Sequence, residues 1–295
     1  MTSIRLAHSP DADDAFMFFA LETGKISTGD IQITHIREDI ESLNQKALRG
    51  DYEITAISFH AYPYVSDKYA LMTVGGSVGE GYGPLVVASK KIKLHQLKKK
   101  LVAIPGKMTT AFLALKMLEP TVAIIVRPFD TILDVVKEGK ADAGLIIHEG
   151  QLTYEEMGLF KVVDLGKWWS DETKLPLPLG GNAVRRDLPL ELQRRCATLI
   201  RQSVEYAMTH REEAVAYALS FGRGLDPEKG SHFIGMYVNK WTLDYGRRGK
   251  KAIQTLFHHG YEKGLIPEVH SIDWVEPDQN SEEDIPAEEQ TEKIP

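Results

Sequence analysis

Short aliphatic and β-branched runs alternate with helical patterns over the first 165 residues, and this alternation constrains the fold more than any other feature. Strand-like runs fall at residues 4–7, 31–36, 53–58, 85–89, 101–105, 123–126, 143–147 and 162–165. Helical patterns fall at residues 13–21, 39–48, 109–118, 129–138, 191–210 and 250–263. Strands separated by helices predict βαβ units, a largely parallel sheet and helices on both faces. We therefore expect an α/β protein that becomes helical after Leu190.

Two extended segments flanked by glycine and proline, at 85–89 and 177–184, are typical of crossovers between lobes. If both are hinge strands, residues 90–181 form an inserted second lobe, and residues 1–89 with 182–275 form the first. This connectivity is that of a two-lobed, Venus-flytrap binding fold. A ligand of such a fold lies between the lobes.

The charge distribution separates a neutral body from an acidic C-terminus. The formal net charge is −7, and residues 276–295 hold eight acids and one lysine. The body therefore sums to zero and lacks the basic excess that nucleic-acid binding requires. Because residues 276–295 carry almost no large apolar side chains, we expect them to form a disordered tail.

Cysteine content and apolar runs indicate a protein of the reducing cytosol. The single cysteine, Cys196, excludes an internal disulfide and the CxxC clusters of zinc ribbons and iron–sulfur proteins. The N-terminus lacks the basic and apolar regions of a signal peptide. No apolar run reaches the ~18 residues of a membrane span. We expect a cytoplasmic protein with no membrane or nucleic-acid partner.

Candidate site residues follow from the rule that ligands bind beyond the carboxyl ends of strands in open α/β sheets. His148 ends a buried run and is either a base that works near neutral pH or a half-solvated strand-end histidine. Thr109 and Thr110 open a helix, whose free amides bind carboxylates or phosphates, or they are plain N-caps. Ser9 and Ser58 place hydroxyl groups at two further strand ends.

Three other features of the sequence point less directly to a ligand site. Asp11, Asp13 and Asp14 lack the spacing of a calcium loop and are expected to be partners of a helix dipole. The glycine-rich stretch 75–83 contains no GxGxxG and is expected to allow a tight backbone beside a ligand or hinge. Asn182 is either a polar cleft residue or a turn residue.

Six segments in order carry a family resemblance. They are HSPDADDAFMFFAL (8–21), EDIESLNQKALRGDYEITAISFHAY (38–62), GEGYGPLVVASK (79–90), PGKMTTAFLAL (105–115), GLIIHEGQLTY (144–154) and LPLPLGG (175–181). Together they resemble the 1,4-dihydroxy-6-naphthoate synthase family of the futalosine route to menaquinone. The resemblance covers residues 4–265.

The resemblance implies a type II periplasmic-binding-protein-like fold and a cytosolic carbon–carbon lyase. That lyase converts cyclic dehypoxanthine futalosine, a carboxylate, to 1,4-dihydroxy-6-naphthoate with no metal or organic cofactor. The histidine of the family's IIHE motif, here His148, is implied to be the proton acceptor. The implied substrate contacts are Ala56, Ile57, Ser58, Thr109 and Thr110.

The chain departs from the family at two points. Many members read SPCPNDTF where this chain reads SPDADDAF, and many carry lysine at the position of Ala56. We expect His60 to supply a donor in place of that lysine. Two alternatives stay open: a chorismate dehydratase-like sibling enzyme, and a cytosolic small-molecule-binding protein of solute-receptor fold without catalysis.

Overall fold

The computed structural model describes residues 1–221 and 226–278, and within these ranges the chain forms twelve strands, ten α-helices and four short 3-10 helices. The strands are β1 (Thr2–His8), β2 (Ile31–Arg37), β3 (Ile54–Ser58), β4 (Tyr69–Met72), β5 (Ser77–Gly79), β6 (Leu85–Ala88), β7 (Leu101–Ile104), β8 (Ala123–Val126), β9 (Ala143–Ile146), β10 (Phe160–Asp164), β11 (Leu177–Arg185) and β12 (Trp274–Val275). The helices are α1 (Ala12–Glu22), α2 (Ile40–Ala47), α3 (Thr110–Leu118), α4 (Ile132–Lys137), α5 (Leu165–Thr173), α6 (Leu190–Thr209), α7 (Arg211–Leu219), α8 (Pro227–Tyr237), α9 (Lys240–Leu243) and α10 (Gly246–Glu262).

The strands form two separate sheets. The first has the order β12-β4-β11-β3-β1-β2, with β5 also paired to β11. The second has the order β10-β6-β9-β7-β8. Two sheets joined by crossing segments confirm the expected α/β, two-lobed architecture.

The expectation of a largely parallel sheet was wrong, because both sheets are mixed. In the first, β1 runs parallel to β2 and β3, but β11 is antiparallel to β3, β4 and β5. In the second, β7 is parallel to β8 and β9, whereas β6 is antiparallel to β9 and β10. The difference arises where the chain passes between the sheets: it enters the second sheet at β6 and re-enters the first at β11, and neither strand follows a crossover helix from a parallel neighbour in its own sheet.

Sheet membership changes a few residues before each expected lobe boundary. β6 pairs only within the second sheet, so the chain has left the first sheet by Leu85 and not at residue 90. β11 pairs only within the first sheet, so the chain has returned by Leu177 and not after residue 181. The short β12 corrects the expectation that no strand follows Leu190: it adds a parallel edge strand beside β4.

Helix α1 shows how the core is built. Nine of its eleven residues are buried, because the run from Ala15 to Leu21 is continuously apolar. A helix that is apolar on all sides must be covered on all sides. The apolar cluster around α1 includes residues of β1, β3, β4 and α6, so the helix is enclosed by the first sheet and the C-terminal helices. Its N-terminus is thereby fixed at the carboxyl end of β1.

Most of the expected acidic tail, residues 279–295, lies outside the described residues. Glu276 and Asp278 are described, and Nζ of Lys250 lies 2.6 Å from Oε1 of Glu276. Across residues 1–221 and 226–278, no helix combines the length and apolarity needed to cross a bilayer. Cys196 is buried in α6.

Candidate active site between the two sheets

A cleft of about 750 Å³, open to solvent, lies between the two sheets. Of the expected site residues, those that line the cleft are Ser9, Ala56, Ile57, Ser58, Thr109 and Thr110. The cleft therefore collects residues from the carboxyl ends of β1 and β3 and from the start of α3, as the strand-end rule predicts.

The start of α3 forms one end of the cleft. Thr109 is the N-cap, and its Oγ1 accepts the N–H of Phe112 at 3.2 Å while donating to the carbonyl of Gly106 at 3.1 Å. Oγ1 of Thr110 donates to the carbonyl of Leu179 at 2.5 Å. Both hydroxyl protons are thus used within the protein. The groups left to bind an anion here are the first-turn amides of α3, which have no acceptor inside the helix.

His60 lies behind the two threonines. Its Nδ1–H donates to the carbonyl of Thr109 at 3.0 Å, and its backbone N–H donates to Oγ1 of Thr110 at 3.1 Å. Burial lowers the pKa of His60 to about 4, so the ring is neutral at pH 7. His60 is not among the residues that line the cleft. Its geometry is that of a positioning residue for the threonines, and a direct contact with the ligand stays a prediction.

Ser58 offers a hydroxyl proton to the cleft. Oδ1 of Asn44 accepts the backbone N–H of Ser58 at 2.9 Å, and Nδ2 of Asn44 donates to Oγ of Ser58 at 3.0 Å. Since Oγ accepts from Asn44, its own proton is directed elsewhere. Neighbouring Ala56 also lines the cleft but has no polar side chain. Asn44, on α2, was not found from the sequence.

The start of α1 contributes an acidic end to the cleft. Oδ2 of Asp14 accepts the backbone N–H of Ser9 at 2.7 Å, and Oγ of Ser9 accepts the N–H of Asp11 at 3.1 Å. Burial raises the pKa of Asp14. Asp11 and Asp14 both line the cleft. The interpretation of these acids as simple dipole partners was therefore incomplete, because they are also cleft residues.

Asp13 is the most perturbed acid of this end. Its pKa is raised well above the usual value, first by burial and then by the carboxylates of Asp14, Asp11 and Glu149. Oγ of Ser77 donates to Oδ2 of Asp13 at 3.4 Å. A carboxyl group that keeps its proton more readily is able to donate a hydrogen bond to a ligand.

Glu149 reaches α1 from the other side of the cleft. Its Oε1 lies 3.5 Å from the backbone N of Ala12, the first residue of α1. The N-cap residue Asp11 makes no side-chain hydrogen bond to the helix. Thus a carboxylate of the second sheet sits at the N-terminus of a helix packed on the first, where negative charge is stabilising. The sequence analysis did not foresee this contact across the cleft.

His148 lies beside the cleft with both ring nitrogens hydrogen-bonded. Nε2 is 2.7 Å from the carbonyl oxygen of Phe129, and Nδ1 accepts the N–H of Gly150 at 3.1 Å. A carbonyl only accepts and an amide N–H only donates, so the ring carries its proton on Nε2. His148 is 7% exposed, and its neighbour Ile147 lines the cleft where His148 does not. Its role as proton acceptor stays a prediction.

Asn182 supports the glycine-rich stretch from within β11. Its Nδ2 donates to the carbonyl of Gly75 at 3.0 Å, and Gly75 has a φ of +73°, which favours glycine. A Cβ at Gly75 would lie 2.2 Å from Nδ2 of Asn182. Gly75 lines the cleft and Asn182 does not. The alternative of a turn residue is excluded by its place in a strand, and a direct ligand contact stays a prediction.

Tyr237 is a cleft residue that sequence reasoning missed. It lies at the end of α8, and its hydroxyl donates to Oε1 of Gln151 at 2.9 Å, across the cleft. Burial raises the pKa of Tyr237 far above its usual value, so the hydroxyl stays protonated. No local motif marks this tyrosine, because its place in the cleft depends on how α8 packs against the rest of the chain.

Comparison with known proteins places these features in context. A family model described as "Menaquinone biosynthesis" matches residues 4–262. A 1,4-dihydroxy-6-naphthoate synthase of Thermus thermophilus is 40% identical over 265 residues, which cover 90% of this chain and 96% of the relative. One of Streptomyces coelicolor is 35% identical over 271 residues, covering 90% and 95% respectively.

Solved structures show the same fold. The crystal structure of protein AF1704 from Archaeoglobus fulgidus is 47% identical, with a TM-score of 0.86 over 90% of this chain and 98% of that chain. The alkanesulfonate-binding protein SsuA from Xanthomonas axonopodis pv. citri, bound to MOPS, is 11% identical with a TM-score of 0.69 over 91% and 95%. The second likeness shows that the fold is that of periplasmic binding proteins.

Proposed function

From the premise that this chain belongs to the menaquinone biosynthesis family and is homologous to its 1,4-dihydroxy-6-naphthoate synthases, we propose that the cleft is the active site of such a synthase. The reaction is a carbon–carbon cleavage that converts cyclic dehypoxanthine futalosine to 1,4-dihydroxy-6-naphthoate. The observation that carries the proposal is the convergence of Ser58, Thr109, Thr110 and the acidic end of α1 on one cleft. We place the reaction in the cytoplasm, with a small carboxylate as substrate.

The substrate carboxylate binds at the α3 end of the cleft. Two helix N-termini face the cleft, and both attract anions. Glu149 and Asp14 already sit at the start of α1. Among the described residues that line the cleft there is no lysine or arginine, so neutral donors must hold the carboxylate. The first-turn amides of Thr110 and Ala111, with the hydroxyl of Ser58, supply them.

His148 acts as the general base. It removes a proton from the carbon next to the spiro centre, the carbon–carbon bond then breaks, and aromatisation of the new ring favours the products. Its Nδ1 lone pair accepts the N–H of Gly150 in the structure, so this nitrogen must exchange that amide for the substrate proton. General base catalysis contributes ~10²–10⁴-fold. Orientation in the closed cleft supplies the larger part of the acceleration.

The acidic end of α1 binds the uncharged part of the substrate. Carboxylates accept hydrogen bonds from sugar hydroxyl groups. Asp13, with its raised pKa, donates one as well. A carboxylate held by amides at the other end of the cleft needs no lysine at position 56, where this chain has Ala56.

A direct substrate comparison tests the function. Purified protein is incubated separately with chorismate and with cyclic dehypoxanthine futalosine, and products are followed by mass spectrometry. We expect naphthoate formation from the cyclic futalosine alone. Dehydration of chorismate would instead show the sibling enzyme, and tight binding of either compound without turnover would show a binding protein.

The proposed carboxylate position has its own test. Ser58→Ala removes the one side-chain hydroxyl proton that faces this end, so we expect KM to rise about tenfold, the worth of one hydrogen bond to a charged group, with kcat nearly unchanged. Ser77→Ala, at the acidic end, is the matched control and should change KM less. An equal effect of both variants would contradict the proposed orientation.

A further inference from the structure

Two histidines and one glutamate form a buried cluster behind α1. His8 ends β1, His35 lies in β2, and Glu22 ends α1. Their side chains are 0%, 11% and 5% exposed, respectively. Three potential ligand atoms face one another: Nε2 of His8, Nδ1 of His35 and Oε1 of Glu22. Neither the expected reaction nor the cleft uses any of these atoms.

The spacing of these three atoms is that of metal ligands. Nε2 of His8 lies 3.4 Å from Oε1 of Glu22, Nδ1 of His35 lies 3.3 Å from the same oxygen, and the two nitrogens are 3.3 Å apart. Zinc bonds of about 2.05 Å in a regular tetrahedron give ligand separations of about 3.35 Å. Adjacent ligands of an octahedral ion at about 2.1 Å would be only about 3.0 Å apart. The observed triangle fits one face of a zinc tetrahedron.

Hydrogen bonds around the cluster orient the atoms that would coordinate a metal. Nδ1–H of His8 donates to the carbonyl of Ser9 at 2.9 Å, which leaves the lone pair of Nε2 directed at the cluster. The other carboxylate oxygen of Glu22 accepts from Arg37 and from the hydroxyl of Tyr217. Both arrangements are typical of outer-shell partners of metal ligands.

One atom of the cluster lacks a satisfactory partner. Oε1 of Glu22 is buried and makes no hydrogen bond of acceptable geometry within the described part of the chain, although two ring nitrogens are close to it. A buried carboxylate oxygen without a donor is costly, and a cation at the centre of the triangle would satisfy it.

We propose that His8, His35 and Glu22 bind a divalent zinc ion. Without the metal, Nδ1–H of His35 donates to Nε2 of His8. When zinc binds, both nitrogens become ligands, and the proton of the His35 ring moves to Nε2, which is buried without a partner among the described residues. A metal here links β1, β2 and the end of α1. It lies behind the cleft and takes no part in the reaction, but it holds the strand end that carries Ser9.

Metal binding is measured on the full-length chain stripped with a chelator and dialysed. Zn²⁺ is titrated by calorimetry, and Co²⁺ is added as a spectroscopic probe. We expect one Zn²⁺ per chain and intense visible Co²⁺ bands of the tetrahedral type. His8→Gln and His35→Gln should each weaken Zn²⁺ binding by ~10²-fold or more. His95→Gln, at an exposed position in the second lobe, should bind Zn²⁺ like the unaltered chain.

Any of three results would overturn the proposal: the absence of stoichiometric Zn²⁺ binding, weak octahedral Co²⁺ bands, or equal Zn²⁺ binding by the His8, His35 and His95 variants. Circular dichroism of the metal-free variants shows whether each is folded. If His8→Gln fails to fold, the partly exposed His35→Gln provides the test alone. A rise in Tm on adding Zn²⁺ to the unaltered chain, absent in His35→Gln, is the second expected readout.

Discussion

The ring of His148 is held by two backbone groups, the carbonyl of Phe129 and the amide of Gly150. A base in this position must give up one of them before it accepts a proton from a substrate. The net cost of exchanging one such hydrogen bond is about 1 kcal/mol, which is small beside the gain from general base catalysis. The two hydrogen bonds also keep the ring in one tautomer, so the nitrogen that is ready to accept a proton is Nδ1.

Substitution of His148 tests its assignment directly. His148→Asn keeps a hydrogen-bonding side chain of similar size but removes the base. We expect kcat to fall by ~10² or more, with KM within several-fold, because other groups hold the substrate. Steady-state kinetics with cyclic dehypoxanthine futalosine measures both parameters. Turnover close to that of the unaltered chain would eliminate His148 as the proton acceptor. His60→Asn should instead raise KM, since His60 positions the two threonines.

Gly150, whose N–H donates to Nδ1 of His148, offers a second test of the ring position. A Cβ on Gly150 would lie 3.1 Å from Cε1 of His148 and 2.9 Å from a methyl group of Leu133. The added methyl group of Gly150→Ala therefore crowds the imidazole ring of His148. We expect a lower kcat with KM nearly unchanged. Gly235→Ala, exposed on α8 with its nearest contact at 3.4 Å, is the control and should leave kcat unaltered. Equal kinetics of both variants would show that the ring position does not limit turnover.

The protonation of Asp13, a cleft residue, makes the free energy of unfolding depend on pH. Its raised pKa means that the folded chain keeps a proton that the unfolded chain releases. Its contribution to stability is present below about pH 4, the usual range of aspartate, and is lost as pH rises through the folded value. Asp13→Asn has no ionisable group at this position and should remove this pH-dependent loss of stability.

We therefore expect the Tm of Asp13→Asn to exceed that of the unaltered chain by an amount that grows as the pH rises above about 4. Thermal unfolding across this range, with the exposed Asp67→Asn as control, measures it. A difference in Tm that does not vary with pH would show that Asp13 ionises normally.

Among the elements, those with a strong local pattern were predicted and those defined by distant contacts were not. The strand 123–126 and the helix that ends at Leu118 match the structure, because β-branched runs and an N-cap threonine act locally. The direction of β11 relative to β3 depends on a return from the second sheet, which no local pattern encodes. Strands as short as β5 and β12 exist only because a neighbouring strand pairs with them.

The same distinction applies to the candidate site. Strand ends predicted Ser9 and Ser58, since the position of a strand end follows from the sequence. Helix α2 brings Asn44 to Ser58, and α8 brings Tyr237 to the cleft, and the helical patterns do not show which face makes either contact. The contact between Glu149 and Ala12 joins positions 137 residues apart, so it could not be inferred from either segment.

Helix α1 is the element whose stability depends on the opposite side of the cleft. Glu149→Gln keeps the size of the side chain but removes the charge at the helix N-terminus, an interaction worth about 1 kcal/mol. We expect a severalfold weaker affinity for substrate, because closing the cleft gains less free energy. Glu156→Gln, which removes an exposed ion pair with Lys229, should have little effect. Calorimetry of substrate binding to both variants decides, and equal affinities would contradict the role of Glu149.

At the scale of the whole molecule, contacts across the cleft hold the two sheets together. On one side, Oε2 of Glu41 accepts the N–H of Met108 at 2.9 Å. On the other, Tyr237 bonds to Gln151 and Glu149 meets Ala12. These hydrogen bonds bridge the two sheets across a cleft that is still open to solvent. Closure is the step that excludes water from the reaction in enzymes of this kind.

Gly106 lies close to Glu41 in one of these contacts. A Cβ there would lie 2.2 Å from Oε2 of Glu41, so Gly106→Ala must displace that carboxylate from Met108. We expect KM to rise and the radius of gyration, measured by small-angle scattering with substrate, to increase. Adding Glu41→Ala should have no further effect in the Gly106→Ala background, since both remove the same contact. Additive effects on KM would show that the two residues act independently.

Glu149 and His148 are consecutive residues, so one peptide carries both the group that meets α1 and the proposed base. Movement of the second lobe away from the first would withdraw both at once. With His148 as the base, a molecule that keeps the lobes apart would then meet no correctly placed proton acceptor, and discrimination between ligands would depend on whether the cleft can close around them.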